Sequence, residues 1–260
     1  MKKILTSILL TLLVFSSSFT VMYAEPETTY VCEVYDDEET PNLVGQYTTT
    51  KEAIYALEDG YTLKLLVNAR IWSEDKQEMR QFLIDSNVSK GLPRDGSTTS
   101  ATNIIVDLNE KTLTAIRYNV SGTNVTFKNG TLVGDVQVTH SSSKQSKVVI
   151  DNCTVEGLDI TLDGNTVPTY EVVELKNATT VSELTLNITD EDEDAFAAKA
   201  VKKEDSVTLT APEGYKWEEG VLVPHYVAEV TSKNGEKTTR YKKLEAAIEA
   251  ASNDETVKLL

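Results

Sequence analysis

Few residues of this chain are of types that make or break bonds. It has two histidines, His140 and His225, and two cysteines, Cys32 and Cys153. His140 opens a serine-rich stretch, His140-Ser141-Ser142-Ser143, from which a serine–histidine–carboxylate set could be drawn. No spacing around it positions the three groups. His225 simply follows Pro224. Zinc-protease, redox and phosphate-loop signatures and the nucleophile elbow are absent from the sequence. The densest acidic run is Thr189–Asp194, TDEDED. Its carboxylates, Asp190, Asp192 and Asp194 among them, could hold calcium loosely. The run lacks EF-hand spacing and also reads as a solvated loop. No other cofactor is implied. Residues 67–103 form a long, partly polar excursion. There Trp72 and Arg94 are candidate ligand contacts, while a packing flap is the plainer alternative.

The elements that must position these groups begin with an export signal. Lys2 and Lys3 precede an apolar run from Ile4 to Phe15, then serines, then Ala24 before Glu25-Pro26. This is the layout of a cleavable secretory signal over residues 1–24, and the apolar run is too short for a spanning helix. No second long apolar segment follows, so the mature chain is expected to have no transmembrane segment. Of 25 basic residues, 23 remain after Lys2 and Lys3 are removed. Against 41 acidic residues this leaves a net charge of −18. Such a surface repels nucleic acid and anionic membranes.

Both ends of the mature chain carry one module. YTTTKEAIYALEDGYTLKLL, from Tyr47 to Leu66, aligns without gaps to YKKLEAAIEAASNDETVKLL, from Tyr241 to Leu260. Upstream, Tyr30-Val31-Cys32-Glu33-Val34 parallels Tyr226-Val227-Ala228-Glu229-Val230. Each copy reads strand, strand, helix, strand. Thr49 and Glu52 have capping-box spacing, Gly60 is placed to end the helix, and Asn234-Gly235 marks a hairpin. The first copy leads into a β-rich stretch and the second does not, so the second is expected to be an incomplete module or a simple cap.

The middle repeats at a shorter period. Val125–Gly134, VTFKNGTLVG, is followed by Val148–Gly157, VVIDNCTVEG, and Val173–Ser182, VELKNATTVS, with a looser copy at Val106–Thr114. Repeats of this length with short strands point to a stacked solenoid. Val125 and Phe127, Val148 and Ile150, and Val173 and Leu175 alternate inward. Asn109, Asn129, Asn152 and Asn177 fall at the corners, where asparagine tolerates a left-handed backbone and can bond from one layer to the next. Lys128, Asp151 and Lys176 precede three of these corners and would stack with alternating charge. Cys153 aligns with Gly130 and Ala178, and Cys32 with Ala228, which favours small buried residues over a disulfide.

The segments Tyr241–Ala251, Ile104–Thr114 and Ala211–Val223 resemble successive parts of β-helix domains in large surface proteins of Gram-positive bacteria. Glycine is usual there in place of Glu110. The resemblance implies a pectin-lyase-like architecture: mainly β, a short right-handed parallel β-helix behind a small strand-strand-helix-strand cap. The expected layout is a signal (1–24), a cap module (25–66), an insertion with a short helix starting near Ser73 (67–103), coils (104–200), a linker (201–225) and a second cap (226–260). A secreted or surface-displayed structural or adhesive module follows, with a glycan or a host protein as partner. The alternative is a polysaccharide lyase or glycoside hydrolase on the same scaffold. Lyases of this fold use clustered aspartates and an arginine, and only Arg117 is available within the coils.

Overall fold

The computed structural model describes residues 29–73, 76–86, 98–164, 166–189, 192–235 and 237–260. The chain opens with β1 (Cys32–Tyr35), β2 (Leu43–Tyr47), helix α1 (Thr50–Tyr55) and β3 (Thr62–Leu65). Strand β1 lies between the other two and pairs with both antiparallel, Cys32 facing Tyr47 on one side and Leu65 on the other. Its alternation buries Cys32 and Val34 and leaves Glu33 at the surface layer. The Thr49 hydroxyl accepts the Glu52 amide at 3.2 Å, the expected N-cap. The Glu52 carboxylate accepts from the Thr48 hydroxyl instead of closing the reciprocal bond. Gly60 is left-handed (φ +86), but the helix ends earlier, at Tyr55. The glycine turns the chain into β3, and its amide donates to the Thr102 carbonyl at 2.8 Å.

Residues 67–103 differ from expectation. They carry β4 (Ala69–Arg70), β5 (Trp72–Ser73), β6 (Glu78–Met79), β7 (Phe82–Asp85) and β8 (Thr98–Thr99), with no helix among the described residues. Phe82 and Ile84 are buried at strand spacing, which a helical reading of Met79, Phe82 and Leu83 misses. Strand β7 pairs in parallel with β8 and with the far end of the long strand that follows β8, Phe82 beside Tyr118.

The body consists of long parallel strands: β9 (Ile104–Ser121), β10 (Asn124–Ser141) and β11 (Lys147–Asp163). β12 (Val173–Lys176) and β13 (Thr180–Ile188) both pair with β11. Helix α2 (Glu193–Ala200) and β14 (Val201–Lys203) follow, and β14 pairs with β12. One register runs through the stack: Ile104, Val125, Val148, Val173 and Val201 lie side by side, all buried. Val106, Phe127, Ile150 and Leu175 form a second buried row. Burying one such side chain is worth about 1.5–3 kcal/mol, so the rows supply much of the core.

The corner asparagines behave as their spacing requires. Asn109, Asn129, Asn152 and Asn177 have φ of 49°, 60°, 53° and 53°. The Asn152 amide group reaches the Asn129 side-chain oxygen at 3.5 Å. Asn129 donates to Asp107 at 3.3 Å, Asn177 donates to Asp151, and Asn109 donates to the Leu65 carbonyl at 2.9 Å. The expected asparagine ladder therefore alternates with aspartate. Asp107, Lys128, Asp151 and Lys176 do stack in register, with Lys128 and Asp107 paired at 3.4 Å. The corner of β9 is wider, because Glu110 is left-handed too (φ 63°). It crowds the next layer, where a Cβ on Gly130 would come within 2.5 Å of the Lys111 carbonyl oxygen.

Two expectations about this region need correction. Helix α2 falls inside the stretch read as coils only. Residues 201–225, read as a linker, carry β14, β15 (Tyr215–Glu218) and β16 (Val221–Pro224) of the main sheet, with Val201 and Leu222 fully buried. The second module then repeats the first: β17 (Ala228–Thr231), β18 (Thr238–Tyr241), helix α3 (Leu244–Ala250) and β19 (Thr256–Leu259). Ala228 faces Tyr241 and Leu259, as Cys32 faces Tyr47 and Leu65. Gly235 turns the β17–β18 hairpin with φ 69°.

If the left-handed backbone is what these corners demand, Asn129→Ala should lose about 1–2 kcal/mol in urea unfolding. Asn129→Gly should lose less, because glycine accepts that conformation freely. Equal losses would assign the effect to the side-chain bonds instead.

Candidate functional site

The alternation of the short strands after β3 builds a cleft. Ile71 points inward and is buried, so Arg70 and Trp72 flank it on the outer side. The Arg70 guanidinium lies 4.1 Å from the centre of the Trp72 ring. A cation–π contact of this kind is worth about 0.5–1 kcal/mol at an exposed site. Arg70 has no carboxylate partner among the described residues. Opposite stands the helix-entry corner of the first module, Thr48, Thr49, Thr50 and Lys51. Asn68, Ala69, Thr114 and Val31 complete a cleft of about 400 Å3. The Thr50 hydroxyl donates to the Arg70 carbonyl at 2.9 Å, tying the two walls together. Asn68 accepts the Thr112 amide at 2.9 Å. The lining offers two cations, an indole, hydroxyls and an amide. None of these is a carboxylate, an imidazole or a thiol.

Of the contacts expected from sequence, Trp72 sits in this cleft. Arg94 lies outside the described residues. Arg70 lines the cleft as well and was missed from sequence: two positions from Trp72 in an extended stretch, it must share the same side of the strand. The threonine corner could have been found only by knowing which face of the first module meets β4.

The acidic run divides into separate structural roles. Asp190 lies outside the described residues. The Asp192 side chain caps α2, accepting the Ala195 amide at 3.3 Å. Asp194 pairs with Lys242 of the second module at 2.6 Å and accepts the Tyr226 hydroxyl. Burial pushes the Asp194 carboxyl up, but the Lys242 and Tyr226 bonds and the lysine charge outweigh it and hold the group below its ordinary range. Lys242 also meets the Tyr215 hydroxyl at 2.7 Å, and Lys243 pairs with Glu213 at 2.7 Å. These contacts fasten the second module to α2 and the β15–β16 hairpin. Among the described residues, no three histidine, cysteine or acidic side chains gather as a metal site would require.

The remaining reactive groups are held inside the fold. Cys32 and Cys153 are free and buried, and burial pushes their thiols up to about 12 and about 11. His140 is buried, its Nδ1 accepts the Ser146 amide at 3.1 Å, and its ring stands edge-on to Tyr170. Ser141, Ser142 and Ser143 open instead onto a separate polar hollow beside Asp163. Arg117 bonds Gln137 at 3.3 Å, and Gln137 in turn bonds Asp159 at 3.1 Å, a polar row across three layers.

A scan against protein-family models, a search of curated proteins and a search of solved structures each found no match to this chain. Among the described residues no helix is long and apolar enough to cross a membrane.

Burial lowers the His140 pKa below the free value of 6.5. The neutral ring's stabilisation is therefore complete above pH 6.5 and declines as pH falls from there toward the folded value. His140→Gln should lose less of its urea midpoint between pH 7.5 and pH 5 than the parent chain. An identical pH dependence would show that the ring titrates alike in the folded and unfolded chain.

Proposed function

We propose that this chain is an exported, non-enzymatic adhesive module that binds a glycan in the Arg70–Trp72 cleft. The observation that carries the reading is the composition of that cleft. An indole with a guanidinium stacked over one face, rimmed by threonine hydroxyls and an amide, suits a sugar's apolar ring face on the other side and its hydroxyls around the rim. Proton transfer to a glycosidic bond would need a carboxylate pair or a similar acid–base set, which the lining does not supply among the described residues. Lys51 and Arg70 add local positive charge to a strongly acidic protein, so an anionic sugar substituent would be favoured here over the rest of the surface.

The architecture we propose for the body is a short right-handed parallel β-helix of the kind found in Gram-positive surface proteins. In-register parallel strands, left-handed asparagine corners and two continuous buried rows support it. The leader at residues 1–24 supports export and display at the cell surface. A rigid stack of this kind would hold the cleft at one end, beside the first module.

Glycan-array screening followed by calorimetry tests the binding reading. Trp72→Ala and Arg70→Ala should each weaken binding at least about tenfold, or 1.4 kcal/mol, with the circular dichroism spectrum unchanged. Retained affinity in both variants would move the site elsewhere. A polysaccharide degradation assay on the parent chain should show no turnover. Clear lyase or hydrolase products would replace this reading with a carbohydrate-active enzyme.

A further inference from the structure

The two modules share sequence, topology and register, yet their apolar residues meet different surroundings. Ile54 in α1 is 1% exposed, and its counterpart Ile248 in α3 is 59% exposed. Leu65 in β3 is fully buried, and its counterpart Leu259 in β19 is 66% exposed. Leu260 is exposed as well. The covering of the first module is known. The outer edge of β3 pairs in parallel with the start of β9, Thr62 with Ile105, Leu63 with Val106 and Lys64 with Asp107. Helix α1 packs on β8. In the second module the sheet stops at β19, and its outer edge pairs with no strand among the described residues.

We propose that the open face of the second module binds an extended polypeptide segment, parallel to β19, with the chemistry of Ile104–Asp107. The register follows from the first copy. Branched aliphatic residues at alternate positions cover Ile248 and Leu259. An acidic residue faces Lys258, as Asp107 faces Lys64. Strand addition of this kind draws on main-chain hydrogen bonds for affinity and on the alternate side chains for selectivity. The exposed edge and the apolar patch coincide, which is the surface such a segment needs. The second module is firmly seated for this role. Lys242 and Lys243 anchor its inner side to Asp194, Tyr215 and Glu213, whereas the first module has Thr48 and Thr49 at those positions. The anchored side and the receptive side are therefore distinct.

The buried native thiols give a silent background for the test. Ile248→Cys should react quickly with a maleimide in the parent chain. Repeating residues 67–223 after Leu260 should slow that reaction at least about tenfold and protect the backbone amides of 256–260 from exchange. Full reactivity in a folded fusion, judged by continued protection of both native cysteines, would overturn the proposal. If the fusion does not fold, a synthetic peptide of residues 98–121 is added to the unfused Ile248→Cys chain at millimolar concentration. Slower labelling supports the proposal, and unchanged labelling overturns it. Sedimentation of the parent chain as a dimer whose association is abolished by Leu259→Asp would also overturn it, by giving the face to a second copy.

Discussion

In a parallel stack, a slip of one residue turns every inward side chain outward, so the register between neighbouring strands carries the whole core. Here Ile104, Val125, Val148, Val173 and Val201 share one row, and Val106, Phe127, Ile150 and Leu175 the next. The rows hold only if each strand turns at the same place. Asparagine makes that possible, because it accepts a left-handed backbone at modest cost and still offers a side-chain donor to the layer beside it. The loops between layers can then vary in length without disturbing the rows. Residues 67–103 use that freedom to build the cleft wall from β4 and β5, while β7 returns to the stack.

The cleft depends on this framework at second hand. Strand β4 pairs with β9 beside Leu113 and Thr114, which fixes Arg70 in place. Helix α1 is held against the same end by β1, β2, β8 and its own threonine cap. The guanidinium is thus presented by a strand that pairs with the body. The indole sits on β5, which among the described residues pairs only with β6 and follows an Ile71 amide that donates to the Thr114 carbonyl. Asp192, Asp194 and His140 went the other way. They were absorbed into caps, ion pairs and buried contacts, because an acidic chain must neutralise or solvate each carboxylate that lies near its core.

The two copies of the module separate intrinsic preference from environment. Their strands, hairpin and helix form alike, since capping residues, alternation and turn chemistry act locally. The inner positions are buried in both copies, Cys32 and Ala53 in one and Ala228 and Ala247 in the other. Ile54 and Leu65 are covered whereas Ile248 and Leu259 are not, because the outer face is set by which strand lies alongside. Lysines in one corner and threonines in the other then decide whether that corner docks or lines a cleft.

Local pattern was enough to read the repeated module, the hairpin at Asn234-Gly235, the inward rows and the asparagine corners. Each depends on residues a few positions apart and on a period that recurs. Free, buried cysteines were legible too, because both stand where the other copies carry small residues. Trp72, marked from sequence, lines the cleft, but the Arg70 that lies over its ring was not marked. Arg70 went unmarked, since only the pairing of β4 with β9 brings it against the threonine corner. Strands at 82–85 and 201–203 were misread, because their short apolar runs gain strand character from neighbours far along the chain. The role of Asp194 was decided by Lys242, almost fifty residues away. Sequence alone thus determined the repeated elements and their inward faces, while long-range pairing decided the rest of the strands and which side chains meet.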